Sequence, residues 1–588
     1  MEKWFVTAKK ADFDAWSKKF HITPVTARII RNRDILTEEE VEKFLNGTFL
    51  DLYPPELMLD MEDAAAIIEE QIHVGRKIRV MGDYDVDGIS ASYILTKGLQ
   101  VLSADVDTII PHRMKDGYGL SQELIQDAYD DGIRTIITCD NGIAASTQIA
   151  FAVEKKMTVV VTDHHEVPFE TDRGEHIQIL PPAAAVVDPK RQDCTYPFKN
   201  ICGAVVAYKL IELLFRRSDL GPEEKQKHLD DFLQMAAMAT VCDVMELLDE
   251  NRIIVKEGLK RMRNHPSFGI RALMEVNGIE PQKLNAYHLG YVLGPCINAT
   301  GRLDTAKRAL ALFNASDRRM AVTIAGELKE MNDSRKNMTQ TGFMDAVRIV
   351  EQNHMEADRV LVIYLPECHE SIAGIIAGRV REKYGKPSFI LTRGEEEIKG
   401  SGRSIEAYHM YEAMSACKEL FTKFGGHKMA AGLSMEEKNI PILRERLNTE
   451  CELAEDDFIS KVLIDVPMPL YYANKELAEE LACLEPFGTG NPRPLFATKE
   501  VHFRTGNRLG AKKNFAKYRV EENGREYQLT FFGNLDDFHA FLDDRFGKGS
   551  ADKLYTDNCN YCISITYQLS LNTYMGRTEM QLVMQNYS

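Results

Sequence analysis

Lys77 to Gly88 reads K-I-R-V-M-G-D-Y-D-V-D-G, a short apolar run that stops at a glycine and gives way to three aspartates at alternate positions. The same plan recurs twice. Thr135 to Thr138 (T-I-I-T) runs into C-D-N-G at Cys139 to Gly142, and Thr158 to Val161 (T-V-V-V) runs into T-D-H-H at Thr162 to His165. Short β-branched runs with no polar alternation are strands buried on both faces, as in a parallel sheet covered by helices. In such sheets ligands bind in the crevice at the carboxyl ends of the strands. Asp83, Asp85, Asp87, Asp140, Asp163, His164 and His165 therefore converge on one rim. So many carboxylates and imidazoles together require cations, which predicts a metal site.

Each motif alone is weak. Asp83, Asp85 and Asp87 alternate, so in an extended segment they share a face. An EF-hand is excluded because its twelfth loop position holds Ile94 and not glutamate. Asp140 by itself reads as a helix N-cap, and adjacent histidines on a strand point opposite ways. Their joint occurrence at strand ends carries the argument. Carboxylate and imidazole ligands suit Mn²⁺ or Mg²⁺, and two such ions in a carboxylate-rich site cleave phosphoester or anhydride bonds. A further carboxylate is expected, and Asp243 supplies it. It ends the apolar helical run F-L-Q-M-A-A-M-A-T-V-C, where a carboxylate is unfavourable beside the negative end of the helix dipole. The expected ligands are Asp85, Asp87, Asp140, His164 and Asp243. His165 is expected on a metal or the scissile phosphate, with Asp83 and Asp163 orienting their neighbours.

At 588 residues the chain is too long for one core. Residues 1–50 read as helical, with Thr37 and Glu40 at capping-box spacing. Residues 51–310 alternate strands and helices, including a helix over 62–74, and 311–355 read as a connecting helix. Residues 356–455 form a second parallel-sheet α/β unit, and 456–588 carry the short alternating segments of an antiparallel β-barrel. The net charge of −17 argues against a surface coated for nonspecific nucleic-acid binding, but not against a local basic groove. The 11 cysteines are scattered apart from one C-x-x-C at Cys559 and Cys562, too little for a zinc site. Free thiols, the lack of any apolar run of membrane-spanning length and an N-terminus without a signal-peptide core point to the cytoplasm.

The order D-Y-D-V-D-G, C-D-N-G-I, T-D-H-H and A-T-V-C-D-V resembles the DHH phosphoesterase superfamily. Further runs extend the likeness over nearly the whole chain, to the superfamily's long single-strand exonucleases. They are P-H-R-M-K-D-G-Y-G-L-S from Pro111, I-N-A-T-G-R-L from Ile297, and H-E-S-I-A-G-I-I-A-G-R from His369. Later come G-S-G-R-S from Gly400, F-G-G-H-K-M-A-A-G-L from Phe424, and L-E-P-F-G-T-G-N-P-R-P-L-F from Leu484. The resemblance implies a DHH catalytic domain, a DHHA1 substrate-binding domain and an oligonucleotide-binding (OB) barrel. It implies 5′-to-3′ removal of mononucleotides from single-stranded DNA with Mg²⁺ or Mn²⁺, in DNA repair and recombination. A monomer, and recruitment by a helicase or a single-strand-binding protein, go with that reading.

The same runs supply substrate-binding candidates. Gly425, Gly426 and His427 place bare amides beside an imidazole, a way to hold a phosphate. Arg302, Arg379 and Arg403 stand in small-residue surroundings where a guanidinium can reach a phosphate, with Ser401 beside Arg403. Arg113 and Tyr118 follow a strand and could meet the 5′ end. In the last domain Phe503, Arg504, Arg508, Lys512, Lys513, Lys517, Tyr518 and Arg519 mix rings with cations, which suggests a stacking platform for bases. Tyr567, Asn572 and Tyr574 could extend it, though core roles compete. The main rival is a DHH-type phosphodiesterase for cyclic dinucleotides or short oligonucleotides, which leaves this basic, aromatic run unexplained. A pyrophosphatase leaves the last domain unexplained, and a non-catalytic scaffold is at odds with the intact ligand set.

Overall fold

The computed structural model describes residues 2–111, 119–172, 175–303, 305–574 and 577–588, which fall into two compact units. The larger is built from Tyr53–Asp243 and Gly258–Ser460. The smaller gathers Lys3–Leu52, Val244–Glu257 and Lys461–Ser588.

The larger unit contains the expected parallel sheet. Its strands lie side by side in the order Val106–Ile109, Ile78–Met81, Thr135–Cys139, Thr158–Thr162, Ala185–Val187, all parallel. Numbered along the chain this is 2-1-3-4-5, the doubly wound order whose switch point falls between the first and third strands. Ile78–Met81 leads into the triple-aspartate loop and Thr135–Cys139 into Asp140, so sheet topology alone puts both loops at one crevice.

The helix Arg318–Gln352, 35 residues long and N-capped by Asp317, leads to a second sheet. There Leu361–Tyr364 pairs parallel with Ser388–Arg393. Ile398–Arg403, Ala430–Met435 and Phe421–Gly426 then add antiparallel. The antiparallel half follows from short connections: the chain from Phe421–Gly426 to Ala430–Met435 is a hairpin, too short for a parallel crossover.

In the smaller unit five long strands close a barrel. Phe496–Leu509 pairs with both Phe515–Glu522 and Tyr561–Tyr574, and Arg525–Phe531 pairs parallel with Arg577–Tyr587 to complete the ring. The N-terminal segment begins with a strand, Glu2–Val6, before its helices. The capping box at Thr37 is formed, with Glu40 Oε2 accepting from the Thr37 amide at 2.9 Å. Trp16, Ile29, Ile30, Val41 and Phe44 share one core with Leu470, Phe496, Phe503, Tyr518 and Phe538 of the barrel. The helix Asp249–Asn264 adds Arg252, which is fully buried and donates to the carbonyls of Phe44, Leu484 and Cys483 at 2.7, 2.9 and 2.9 Å. Arg33 and Asp465 pair within the same unit at 2.6 Å, both almost wholly buried. No helix of the described residues is long and apolar enough to cross a membrane.

Candidate metal centre

The triple-aspartate loop is not extended. After Met81 the chain turns at Gly82 and enters a helix, Val86–Val101, so the alternate-face reading of Asp83, Asp85 and Asp87 is corrected. Asp85 is the N-cap, its Oδ1 accepting from the amides of Asp87 and Gly88 at 2.9 and 3.1 Å. Gly88 has to be glycine, because a Cβ there would lie 2.6 Å from the backbone of Asp83. Asp87, in the first helical turn, is held from 116 residues downstream. Its two oxygens accept from the amides of Gly203 and Ala204 at 2.7 and 2.8 Å, which begin the helix Gly203–Arg217. A helix N-terminus thus offsets one of the buried negative charges.

Asp140, unlike Asp85, is no N-cap. It sits at φ +58 directly after its strand, a left-handed conformation that aspartate tolerates better than most residues. That conformation turns its carboxylate onto His164, whose Nε2 lies 3.0 Å from Asp140 Oδ1, 3.4 Å from Asp87 Oδ2 and 3.7 Å from Asp243 Oδ2. His164 and His165 leave the strand before they diverge, and their rings lie 4.4 Å apart. Asp163 orients both: its Oδ1 accepts from the His164 amide at 2.7 Å and lies 2.8 Å from His165 Nδ1. Its Oδ2 accepts from the Ile143 amide at 2.9 Å. Asp243 caps the C-terminus of the helix Pro222–Cys242, as expected.

Ligand-capable atoms fall into overlapping groups, within each of which they lie inside 4.8 Å of one another. The groups are Asp83, Asp85 and Asp140; Asp87, His164 and Asp243; and Asp140 with Asp163, His164 and His165. Buried polar atoms with no hydrogen-bond partner include His164 Nδ1 and Asp243 Oδ2. Such atoms are costly without a partner, so this donor set fits divalent cations of the Mn²⁺ and Mg²⁺ type.

Charge agrees. Burial, then repulsion from Asp87, Asp85, Asp83 and Asp163, pushes the Asp140 carboxyl well up. Burial and the same neighbours, Asp87 and Asp85, push Asp243 up to about 8. Burial works against protonated His165, but Asp163 outweighs it and raises the imidazole to about 9. Burial lowers His164, which favours the neutral ring a metal needs. Without cations the fold therefore binds more protons than the unfolded chain from the ordinary carboxyl range up to about 8, and it loses stability as pH rises through that window. His165 acts with the same sign up to about 9. We expect the melting temperature in EDTA to fall from roughly pH 5 to pH 8, and Mn²⁺ to abolish the trend by displacing the protons. A metal-free melting temperature that climbs over this range would contradict the assignment.

Asp188 escaped the sequence reading. It follows the strand Ala185–Val187 as Asp163 follows its own strand, and the Asp163 amide donates to the Val187 carbonyl at 3.0 Å. Asp188 is fully buried, and burial together with Asp163 raises it to about 7. Its signal was the same strand-then-aspartate rule, in the run A-V-V-D. Gly203 and Ala204 were missed because they act through backbone amides.

Of the substrate candidates, Arg113 and Tyr118 lie outside the described residues. Arg302 ends the helix Gly294–Leu303. In that helix Asn298 accepts from the Val86 amide at 3.1 Å, a Cβ on Gly301 would come 2.6 Å from the Tyr84 carbonyl, and Arg302 donates to the Ser371 carbonyl at 2.7 Å. One helix thus joins the aspartate loop to the second sheet. Ser371 lines a cavity of about 420 Å³ there, with Ser401, Gly425, Lys399 and Lys423. The Arg403 guanidinium packs over Gly374, Gly426 closes the hairpin at φ +151, and His427 is exposed at its tip. His369 caps the helix Glu370–Tyr384. Arg379 donates to Gln340 at 3.0 Å.

The aromatic platform needs correction. Phe503, Tyr518 and Tyr567 are fully buried in the barrel core, with the Tyr567 hydroxyl donating to the Met468 carbonyl at 2.7 Å, so they cannot stack on bases. Arg504 pairs with Glu521 at 2.8 Å, and Arg508 lies over the Tyr555 ring. Lys512, Lys513 and Lys517 are exposed, as is Arg519. Period-two alternation sorts the strand Phe515–Glu522, with Ala516, Tyr518 and Val520 facing in and Phe515, Lys517 and Arg519 facing out. The outward ring is Phe515, 5.2 Å from Phe532, itself 58% exposed.

Comparison with known proteins matches the DHH family N-terminal domain to residues 77–240, the DHHA1 domain to 357–453 and the RecJ OB domain to 464–586. The single-stranded-DNA-specific exonuclease RecJ of Bacillus subtilis (strain 168) is 32% identical over 574 residues, 97% of this chain and 68% of that protein. RecJ of Escherichia coli (strain K12) is 31% identical over 96% of each chain. The Mn²⁺ complex of RecJ from Thermus thermophilus superposes with a TM-score of 0.81 at 27% identity, covering 100% of this chain and 79% of that one, and a Mg²⁺ complex also matches.

Proposed function

Since this chain belongs to the RecJ family of single-stranded-DNA-specific exonucleases, we propose that it hydrolyses single-stranded DNA from the 5′ end at the Asp140–His164 cluster. The observation that carries this reading is the helix Gly294–Leu303, which ties the aspartate loop through Asn298 to the cavity at Ser371 through Arg302. Asp85, Asp87, Asp140, His164 and Asp243 hold two divalent ions, Mn²⁺ or Mg²⁺. When bound, these ions supply water activation at neutral pH and neutralise charge developing on the phosphate. The protein's own contribution is preorganisation. The Gly203 and Ala204 amides fix Asp87, and Asp163 fixes both histidines, so the ligands need no rearrangement when substrate enters. His165, half-exposed and committed through Nδ1 to Asp163, is placed to donate to a phosphate oxygen. Arg302, Arg379, Ser401, Arg403, Gly425, Gly426 and His427 receive phosphates on the second-sheet side, with Arg113 and Tyr118 at the 5′ end. The barrel, through Lys512, Lys513 and Lys517, holds the strand beyond. The thiols, with no disulfide among the described residues, fit work in the cytoplasm.

Digestion of 5′- and 3′-labelled single strands, blunt duplex and cyclic dinucleotide with Mn²⁺ tests this. Mononucleotides released from the 5′ end of single strands are expected, with duplex degraded far more slowly. Faster turnover of the cyclic dinucleotide would favour the phosphodiesterase alternative.

A further inference from the structure

The second sheet carries a polar row that the phosphate candidates leave unused. Strand register sets Ser401 opposite Gly432 and Gly432 opposite Gly425. Two residues away along each strand, and so on the same face, Thr392, Lys399, Ser434 and Lys423 form a second row. The rows lie about 7 Å apart, two residues of an extended strand. Both line the cavity of about 420 Å³ at the start of the helix Glu370–Tyr384.

The second row has the makings of an anion site. Glu370 and Ser371, which begin a 15-residue helix, line the cavity, so the positive end of the helix dipole bears on it. Thr392 is fully buried, yet its hydroxyl has no hydrogen-bond partner, an orphan that a bound oxygen would satisfy. Lys399 is pinned within the row, donating to Ser434 Oγ at 2.9 Å and to Glu397 Oε1 at 2.8 Å. Lys423 is exposed, a point charge suited to a phosphate. A Cβ on Gly425 would meet nothing within 4 Å, and one on Gly432 only the Gly400 carbonyl at 3.9 Å. Packing does not demand glycine at either place; the missing side chains leave room. No ring is offered to a base, because Phe424 packs on Phe421 and Tyr411, and Leu433 is core on the opposite face. The occupant therefore brings phosphate oxygens without a nucleobase. Glu370 is the one acid among the lining residues, and it opposes such a ligand.

We infer that the row of Thr392, Lys399, Ser434 and Lys423 receives the outer phosphates of a single strand that ends in a 5′-triphosphate. This rests on the exonuclease reading, in which the row of Ser401 and Gly425 receives the strand's own phosphate. Hydrolysis stays the ordinary one. Water gives its oxygen to the first internucleotide phosphorus and a proton to the departing 3′ oxygen, so the first product is an intact nucleoside triphosphate. The test digests strands of one sequence bearing a 5′-hydroxyl, monophosphate or triphosphate, using the full-length chain with Mn²⁺ in excess. KM for the triphosphorylated strand is expected about tenfold below that for the monophosphorylated one, the scale of one charge-assisted hydrogen bond, with kcat alike. Thr392→Val and Lys423→Gln should each bring the two KM values together and leave digestion of the monophosphorylated strand unchanged. Glu370→Gln should widen the gap. Thr392→Val removes a buried orphan and should melt no lower than the parent; if it does not fold, Lys423→Gln reads the same comparison. Equal KM values in the parent, a preference that survives both variants, or release of pyrophosphate ahead of any nucleotide would overturn the inference. Inhibition by free tripolyphosphate with no preference for the triphosphorylated strand would make a free anion the ligand, and would overturn it too. Failure to digest the monophosphorylated strand would instead overturn the premise.

Discussion

Asp140→Asn is expected to abolish cleavage, by about 10⁴-fold or more, the scale on which removing one member of an interdependent catalytic set acts. The residue belongs to two of the groups of ligand-capable atoms and lies 3.0 Å from His164, so under the proposed assignment its loss reaches both groups. Asparagine is nearly the same size and also tolerates the left-handed backbone at φ +58, so the fold should survive. The substitution removes a buried carboxylate that Asp87, Asp85 and Asp83 repel. The metal-free variant should therefore melt no lower than the parent, and higher at alkaline pH. Single strands should still bind, because phosphate contacts lie elsewhere. Release of labelled mononucleotide measures the first claim, fluorescence anisotropy the last; near-parental turnover would refute the ligand assignment.

Reversing Lys512, Lys513 and Lys517 to glutamate should weaken binding of a 30-mer by roughly ten- to a hundredfold at low salt and flatten the salt slope by about 2, the sum for three phosphate contacts on a single strand. The three side chains are exposed, so the barrel core is not disturbed. Very short oligonucleotides should be cleaved at the parental rate. If affinity and slope for the 30-mer stay unchanged, the barrel is a structural clamp and not a strand-binding surface. Phe515 gives a separate reading, because a base stacked on an aromatic ring contributes about 1–3 kcal/mol, which no change in salt removes.

Sequence pattern made the metal rim visible for a simple physical reason. A parallel sheet presents its strand ends to one crevice, so a strand followed by an acid is a positional statement and not merely a motif. The rule applies equally to Asp188, whose run A-V-V-D has no flanking glycine or histidine to mark it as part of a motif. What the pattern could not show was how the carboxylates are held. The Gly203 and Ala204 amides bring no side chain to read, and the helix that begins at Val86 was masked by the alternation of the aspartates. In the barrel, the rings and cations from Phe503 to Arg519 belong to two populations that the pleat separates. Tyr518 and Lys517 are neighbours in sequence but face opposite sides, and only the inward ones are core. The apolar faces of the N-terminal helices were legible too. Their cover was not, since Trp16 and Phe44 meet residues more than 400 positions away.

That last contact bears on modularity. The chain enters the smaller unit three times, at Lys3–Leu52, Val244–Glu257 and Lys461–Ser588, and Arg252 stitches the middle passage to carbonyls of the other two. A stop codon near position 456 would not deliver a trimmed nuclease. It would strand Trp16, Ile29 and Phe44 in water and leave a buried guanidinium with two of its three acceptors gone. The barrel is thus no detachable cassette that gene fusion could graft or shed in one event. Its inheritance is bound to that of the catalytic chain woven through it, and swapping specificity between homologues would require exchanging all three segments together.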